Sequence, residues 1–241
     1  MSFYTDKAIS GVPYAVDEAN PTQVLGTLAV ATDGRKFRYV KAGASALVAG
    51  ELLQSPAEVT GDQSLAIAAA AIGDLTVTTT GTVTVTANQY AGGLLITTGE
   101  GGTGNGIAYR IKSHPAATAA VVVITLEDPI QVALTTATQI DLVANPYNGV
   151  IQNPTTASGT VVGVAVNNIT ASQYGWIQTG GVAAVLSQGG ATVGVLQVAS
   201  NGTAGAVENA ANASTEAQAI VGIAATGVAT TEYGAVKLLI D

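Results

Sequence analysis

The chain has 241 residues, of which 48% are hydrophobic, 5% aromatic and 10% charged, so its apolar mass is small and aliphatic. Its net charge of −8 repels nucleic-acid phosphate and disfavours nucleic-acid binding. The sequence has no cysteine, which excludes a disulfide scaffold, a thiolate nucleophile and a zinc site with cysteine ligands.

Alanine, valine and threonine, together with 29 glycines, suit pleated strands joined by tight turns, and this composition predicts an all-β fold. Polar residues interrupt every apolar run before it reaches the roughly 20 residues that a membrane helix needs. The first residues lack the basic start and apolar core of a signal peptide. We therefore expect synthesis in the cytoplasm, without export or membrane binding.

Residues 1–22 contain Pro13 and Pro21 and no sustained hydrophobic period, which predicts an extended N-terminal arm. Because this arm has little to pack with internally, we expect it to become ordered only on a binding partner. Deletion of 1–20 should then leave the melting temperature of the barrel almost unchanged and weaken binding to the partner. Its candidate anchors are the apolar side chains Phe3, Tyr4, Ile9, Val12 and Tyr14.

The segment from Val24 to Val30 predicts a strand, Asp33-Gly34 a tight hairpin turn, and Phe37 to Val40 the returning strand. Four of the eight basic side chains follow this turn: Arg35, Lys36, Arg38 and Lys41. They predict either a docking patch for an acidic partner or charges that protect an exposed strand edge.

Residues 61–150 predict a separate inserted, β-sandwich-like domain. Its first segment, Ser64–Ile72, fits either a short helix or a buried strand. Threonine then alternates with valine over 76–86, which predicts one strand with Val77, Val83 and Val85 on its buried face. Further strands are predicted at 94–98, 107–112, 119–126 and 130–143, followed by a turn at 145–149.

The last third of the chain contains an internal repeat in which corresponding residues lie 59 positions apart. The identical pairs are Val162/Val221, Gly163/Gly222, Ala165/Ala224, Tyr174/Tyr233 and Gly175/Gly234. Each copy predicts a strand, a turn and a returning strand that begins at Tyr-Gly.

The two repeated hairpins predict equivalent places in one small β-barrel, with both tyrosine rings buried near its end. Replacement of either tyrosine by alanine should then cost about the same, roughly 3–5 kcal/mol. A weaker match pairs Leu53-Gln54 with Leu196-Gln197. It predicts that residues 23–60 and 151–241 together form the barrel, with 61–150 inserted.

Other motifs predict no chemistry. The glycine-rich segment 99–104 fits the dinucleotide fingerprint, but a strand-like sequence follows it, so we expect a hairpin tip. The single histidine, His114, is expected at the surface or in a turn, and Glu127-Asp128 in a solvated turn. Trp176 is expected in the core or at an interface. We predict no catalytic, cofactor-binding or metal-binding residues, no cofactor, no small-molecule substrate and no enzymatic activity.

Two segments resemble the head decoration, or cement, proteins of tailed bacteriophages: Gly34-Arg35-Lys36-Phe37-Arg38-Tyr39-Val40-Lys41-Ala42-Gly43 with Ala46–Leu52, and Tyr174-Gly175-Trp176-Ile177-Gln178-Thr179-Gly180-Gly181. The resemblance covers mainly 24–55 and 160–240, and 61–150 has no counterpart. It implies a β-rich protein on the outside of the capsid, commonly a trimer at the junctions between capsomers, with an arm over neighbouring subunits.

The implied partners are the major capsid protein and further copies of the chain, with the arm anchors and the four basic residues as candidate capsid contacts. An uncharged stretch from 143 to 206 agrees with burial against other copies. Two alternatives remain open. A carbohydrate-binding or tail-fibre-type adhesion module would need aromatic platforms, and a hydrolase would need a carboxylate pair that only folding brings together.

Overall fold

The computed structural model describes residues 7–8, 16–99, 101–211 and 218–241, and it confirms the all-β prediction. Apart from a 3-10 turn at Thr60–Asp62, the regular elements of the described residues are strands. They are β1 (Lys7–Ala8), β2 (Leu28–Val30), β3 (Lys36–Ala42), β4 (Leu52–Gln54), β5 (Leu65–Ala66), β6 (Thr76–Thr78), β7 (Val83–Val85), β8 (Leu94–Thr98), β9 (Ala108–Ser113), β10 (Ala117–Ala120), β11 (Val123–Leu126), β12 (Gln139–Val143), β13 (Asn148–Gln152), β14 (Val161–Ala165), β15 (Tyr174–Leu186), β16 (Leu196–Ala199), β17 (Val207–Asn209), β18 (Ile220–Ala224) and β19 (Tyr233–Leu239).

The chain divides into two compact units, Met1–Ala57 with Pro146–Asp241, and Glu58–Asn145. The predicted insertion began at 61 and ended at 150, so both observed boundaries lie a few residues earlier in the sequence. The second boundary moves because β13, which starts at Asn148, pairs with β3 and β4 of the first unit.

The first unit contains a closed five-stranded barrel. Its strands follow the order β3, β13, β4, β14 and β15, and β15 pairs back onto β3 to close the ring. Alternate side chains point inward and form one core cluster. The members of this cluster include Val40, Leu47, Leu53, Val150 and Ile177.

A half-barrel continues from the same sheet through β19, β18, β16 and β17. Strand β15 has 13 residues and serves both structures, since its first part pairs with β3 and its second part, from Gly180 onward, with β19. A parallel bridge between Ser187 and Val207 joins the two ends of the half-barrel. We call the closed ring the first barrel and this half-barrel the second barrel.

The repeat offset of 59 is kept in the strand register. Val164 pairs with Gln178 in the first barrel, and Ile223 pairs with Lys237 in the second. The two hairpins are therefore equivalent, but the prediction that they share one barrel is wrong. Because β15 is long enough to give an edge to each structure, the second hairpin builds the half-barrel beside the closed ring.

The weaker match, which aligned Leu53-Gln54 with Leu196-Gln197, identifies the right two segments. Its alignment, however, is shifted by one residue. Gly50 and Gly194 have nearly the same φ, +80° and +79°, and their N–H groups donate to the carbonyl oxygens of Ala165 and Ala224. Leu52 therefore corresponds to Leu196. A slip of one residue matters because it moves every side chain of a strand to the opposite face.

The second unit has one six-stranded sheet with the order β5, β12, β8, β9, β11, β6, and a two-stranded sheet of β7 and β10. The predicted sandwich needs two facing sheets of similar size. Here a bridge between Ile67 and Thr79 joins the two ends of the larger sheet, which therefore curls back on itself. The small sheet contributes Val83, Val85 and Ala117 to the same core.

Three strands predicted in this unit are shorter than expected. Residues 76–86 form β6 and β7 in different sheets, although Val77, Val83 and Val85 are all buried as predicted. Residues 119–126 are split because Ala119 has a positive φ of 46° next to a register shift. The segment 130–143 is a strand only in β12, since a turn with the Thr138 N–H donating to the Thr135 carbonyl precedes it.

The glycine-rich segment confirms its prediction as a hairpin loop. It connects β8 and β9, which pair antiparallel with Ile96 opposite Ala108. Gly99 and Gly104 adopt positive φ values of 99° and 70°, as tight chain reversals require.

Candidate interaction surfaces

The basic residues of the first hairpin do not form one continuous patch. Arg35 pairs with Asp33 at 2.7 Å, Arg38 pairs with Asp241 at 2.7 Å, and the Lys41 ammonium lies 5.6 Å from the ring centroid of Tyr174. Lys36 and Lys41 stand about 17 Å apart along an extended strand. Strand β3 has neighbours on both sides, so the interpretation that these charges protect a strand edge is wrong.

Arg38 is the centre of a local network. Its Nε and Nη2 donate to the two carboxylate oxygens of Asp241 at 2.7 and 3.0 Å, and its Nη1 donates to the Gly26 carbonyl at 2.9 Å. The hydrogen bonds from Arg38 hold the pKa of the Asp241 side chain below its ordinary value. Arg38 therefore ties together β3 and the last described residue.

An aromatic cluster lies beside this network on β3 and β15. Tyr39 is stacked on Tyr174 with the ring centroids 6.1 Å apart, and Trp176 meets Tyr39 edge-on at 5.2 Å. The Tyr39 hydroxyl donates to Glu18 at 2.8 Å, and burial raises its pKa. Trp176 is half-buried in this cluster. The sequence predicted a position either in the core or at an interface, and this partial burial is intermediate between the two.

Residues 16–22 of the predicted arm are attached to the first barrel. The backbone of Glu18 exchanges two hydrogen bonds with Tyr174, at 2.9 and 2.8 Å. The Asp17 carboxylate accepts from the backbone N–H and the hydroxyl of Thr170 at 3.0 and 2.7 Å. The prediction that 1–22 lacks internal contacts is therefore wrong for 16–22, because the strand start at Tyr174 offers free backbone groups to Glu18.

The arm anchors Phe3, Tyr4, Ile9, Val12 and Tyr14 lie outside the described residues. Of 1–15, the structure describes Lys7–Ala8, which pairs in parallel with β2.

Truncation at two points separates the attached part of the arm from the rest. Deletion of 1–20 removes the hydrogen bonds of Asp17 and Glu18, each worth about 1 kcal/mol, but it also removes the conformational entropy cost of ordering these residues. We therefore expect a net loss of about 2–3 kcal/mol in unfolding free energy. This should lower the melting temperature in calorimetry by about 5–10 °C. Deletion of 1–15 keeps both residues and serves as the control. An unchanged melting temperature after deletion of 1–20 would contradict the attachment.

His114 lies in the connection after β9, as one of its two predicted places required, but it is buried with 4% of its surface exposed, so the predicted surface position is wrong. Its Nε2 accepts from the Tyr90 N–H at 3.0 Å, and its Nδ1 lies 2.9 Å from the Pro115 carbonyl, to which it donates in the neutral tautomer. The ring lies against the loop after β7, which contains Tyr90, and accepts a hydrogen bond from it. Both ring nitrogens are thus occupied by structural roles.

The inserted unit also buries a carboxyl group that the sequence analysis did not single out. The Tyr90 hydroxyl donates to Asp62 at 2.5 Å, and both residues are at most 3% exposed. Burial, followed by the hydrogen bond to Asp62, raises the pKa of Tyr90. The two residues lie 28 positions apart, and no local pattern connects them. Glu127 and Asp128, in contrast, are exposed in a bend, as predicted.

Among the described residues, no group of three or more histidine or acidic side chains could hold a metal ion. The same part of the chain has no helix long and apolar enough to cross a bilayer. Comparison with protein-family models, with curated proteins and with solved structures gives no match.

Proposed function

We propose that the chain is a structural virion protein, a decoration or cement protein on the outer surface of a tailed-phage head. It stabilises the head by bridging subunits of the major capsid protein, and it does so as a homotrimer. One observation carries this proposal: the two segments that resemble cement proteins, 34–52 and 174–181, contain neighbouring strands of one barrel. Trp176 pairs with Tyr39 and Gly175 with Val40 across that contact.

The contacts of the histidine and of two acidic side chains support a role in binding rather than catalysis. Both ring nitrogens of His114 are engaged in holding a loop. Glu127 pairs with Arg110 at 3.1 Å, and the carboxyl of Asp62 accepts from a buried tyrosine. Each of these side chains makes a hydrogen bond or an ion pair within the fold. These contacts support the proposal of a non-enzymatic protein.

The capsid contacts are proposed at the basic side chains of the first hairpin. Arg38 holds Asp241 in a two-pronged ion pair, which makes it a structural residue. Arg35 pairs with Asp33 within one exposed turn, so Arg35, Lys36 and Lys41 are the side chains to test against an acidic capsid surface. The alternative, a carbohydrate-binding or tail-fibre module, would use an open aromatic face, whereas Trp176 packs edge-on against Tyr39.

Disruption of the phage gene for this chain tests the proposal, because it yields virions that lack the protein. We expect them to assemble but to release their DNA at lower temperature, and after chelation or osmotic shock, because the bridges between capsid subunits are missing. DNA release can be followed by dye fluorescence, and infectivity by plaque counts. Virions without the chain that withstand all three treatments as well as complete ones would overturn the stabilising role.

Complementation locates the contact. Wild-type protein supplied in trans should restore stability, and the double variant Arg35→Glu/Lys41→Glu should bind heads less well. Lys112→Glu, an exposed change on the inserted unit, is the matched control and should bind like the wild type. Equal binding by the double variant would place the capsid contact elsewhere.

A further inference from the structure

The two equivalent barrels differ in how much apolar surface they leave exposed. In the second barrel, seven large apolar side chains are more than a third exposed. They are Val182, Val193, Leu196, Ile220, Ile223, Tyr233 and Leu239. The first barrel comprises the strands and loops from β3 through β4 and from β13 to Gln178. Among these described residues, one large apolar side chain, Val48, is exposed to a similar degree.

The difference is sharpest in one row of side chains on the outer face. In the first barrel this row takes one residue from each of β3, β15, β14 and β4, which pair in that order. Its members, here called the first row, are Phe37, Gln178, Val164 and Leu52. All four are at most 2% exposed.

The second barrel covers Leu52, Val164 and Gln178 of the first row, whereas the Arg35 guanidinium lies 5.6 Å from the ring centroid of Phe37. Leu52 and Val164 belong to the same core cluster as Val185 and Val236, which point into the second barrel. The Gln178 amide donates to the carbonyl oxygens of Gly180 and Val182, at 3.0 and 2.9 Å. Three of the four residues of a row on the outside of one barrel are therefore buried by the other copy of the same repeat.

The repeat defines an equivalent row on the second barrel. The same register takes one residue from β15, β19, β18 and β16. The members of this second row are Val182, Lys237, Ile223 and Leu196. Val182 is 49% exposed, Ile223 and Leu196 are each 37% exposed, and Lys237 is exposed as well. Leu239, two residues beyond Lys237 on the same strand, extends this apolar surface.

We propose that the second row is a docking surface for a second copy of this chain. Within one chain, the equivalent row is covered by a barrel of the same repeat, and a further barrel of this kind is supplied by another copy. The inference rests on the proposed function only for the expectation that copies associate. The buried equivalent row identifies the surface.

The charge of Lys237, in the middle of the second row, determines whether two copies can meet through a two-fold axis. If a two-fold axis passed through the row, it would bring Lys237 of both copies together, and these like charges would oppose association. A head-to-tail contact places Lys237 against a different surface of its neighbour. Head-to-tail contacts that close form rings, so we expect an assembly larger than a dimer.

The mass of the purified full chain in solution tests this surface. Light scattering after gel filtration, with the protein loaded at about 100 µM, well above the Kd of a specific contact, should give a closed multiple of the 23.8 kDa chain. Ile223→Asp should reduce this mass to that of one chain. Val123→Asp is the matched control, since Val123 is a 44% exposed strand valine of the inserted unit, and it should keep the wild-type mass.

A labelling experiment avoids any effect of a buried charge on folding. The chain has no cysteine, so Ile223→Cys and Val123→Cys each introduce one reactive thiol. In the assembled protein, a maleimide-polyethylene glycol reagent should modify Ile223→Cys at least tenfold more slowly than Val123→Cys. Dilution that dissociates the assembly should remove this difference.

Three results would overturn the proposal: a monomeric wild type at this concentration, an unchanged mass for Ile223→Asp, or equal labelling of the two thiols in the assembly. A wild-type dimer would overturn the head-to-tail contact. These measurements use no capsid, so they separate this inference from the proposed function. If monomeric Ile223→Asp still binds heads, the second row serves self-association alone. If the wild type is monomeric in solution, and the thiol of Ile223→Cys is shielded from the reagent only when the protein is bound to heads, the second row contacts the capsid protein instead.

Discussion

Replacement of Tyr90 by phenylalanine should destabilise the inserted unit by about 3 kcal/mol, because a buried carboxyl group then loses a charge-assisted hydrogen bond. The Tyr90 hydroxyl donates to Asp62 at 2.5 Å, and Asp62 is only 2% exposed, so water cannot readily replace the lost donor. The ring itself is retained, which leaves the apolar packing of the core intact. Calorimetry of the full chain measures the loss.

Tyr109→Phe is the matched control. Tyr109 is 4% exposed and belongs to the same core cluster as Tyr90. Its hydroxyl accepts from the Gln131 N–H at 3.2 Å, and Gln131 is exposed, so its backbone N–H lies close to water. We expect a loss of about 1 kcal/mol or less. Equal losses for the two variants would show that the contact with Asp62 has no special weight.

The same pair predicts how stability depends on pH. Burial and the hydrogen bond to Asp62 raise the folded-state pKa of Tyr90 above its unfolded-state value of about 10. The contribution of Tyr90 is therefore complete below about pH 10 and decreases above it by roughly 1.4 kcal/mol per pH unit. The difference in unfolding free energy between the wild type and Tyr90→Phe should follow this course. A difference that stays constant to pH 11.5 would contradict the raised pKa.

The repeat could be found from the sequence because its identical glycines have a local steric cause. A Cβ on Gly163 would lie 2.7 Å from the Gln178 carbonyl oxygen, and a Cβ on Gly222 would overlap the equivalent oxygen of Lys237. Both positions therefore require glycine wherever the hairpin is built. The sequence could not indicate that each copy builds its own barrel, since the shared use of β15 depends on its length and on pairing with distant strands.

The identical tyrosines show where this reasoning fails. Tyr174 is half-buried and stacks on Tyr39, but Tyr233 is 53% exposed, so the expected equal burial is wrong. The ring of Tyr233 lies over Gly50, where an added Cβ would be 2.5 Å from it. Identity in a repeat thus predicts the same strand position. Burial depends on what packs outside, and the Tyr39 ring stacks on the first tyrosine.

The candidate site was predictable only in part, for the same physical reason. The four basic residues were visible as a cluster in sequence, but the ion pair of Arg35 with Asp33 lies within a turn, and that of Arg38 with Asp241 belongs to a long-range network. The second row was not visible, because Val182, Ile223 and Leu196 look like ordinary strand residues. Only the comparison with the buried first row gives their exposure a meaning.

Replacement of Gly222 by alanine should have one of the largest effects of any single methyl group in the chain. The new Cβ would overlap the Lys237 carbonyl oxygen, and it would also lie 2.9 Å from the Lys237 carbonyl carbon and 3.0 Å from Val236 Cγ1. These are backbone and core atoms that cannot rotate away, so β18 and β19 must separate at the pair formed by Gly222 and Leu238. We expect a loss of about 3 kcal/mol or more in unfolding free energy.

Gly163→Ala should have a comparable effect on the first barrel, because its Cβ meets the equivalent carbonyl of Gln178 at 2.7 Å and the Ile177 side chain at 2.9 Å. Gly227→Ala is the matched control, since its Cβ comes no nearer than 3.4 Å to the Ala191 carbonyl at an exposed position. It should change stability by less than about 0.5 kcal/mol. If Gly222→Ala and Gly227→Ala melt alike, the close pairing of β18 and β19 is wrong, and with it the register on which the second row depends.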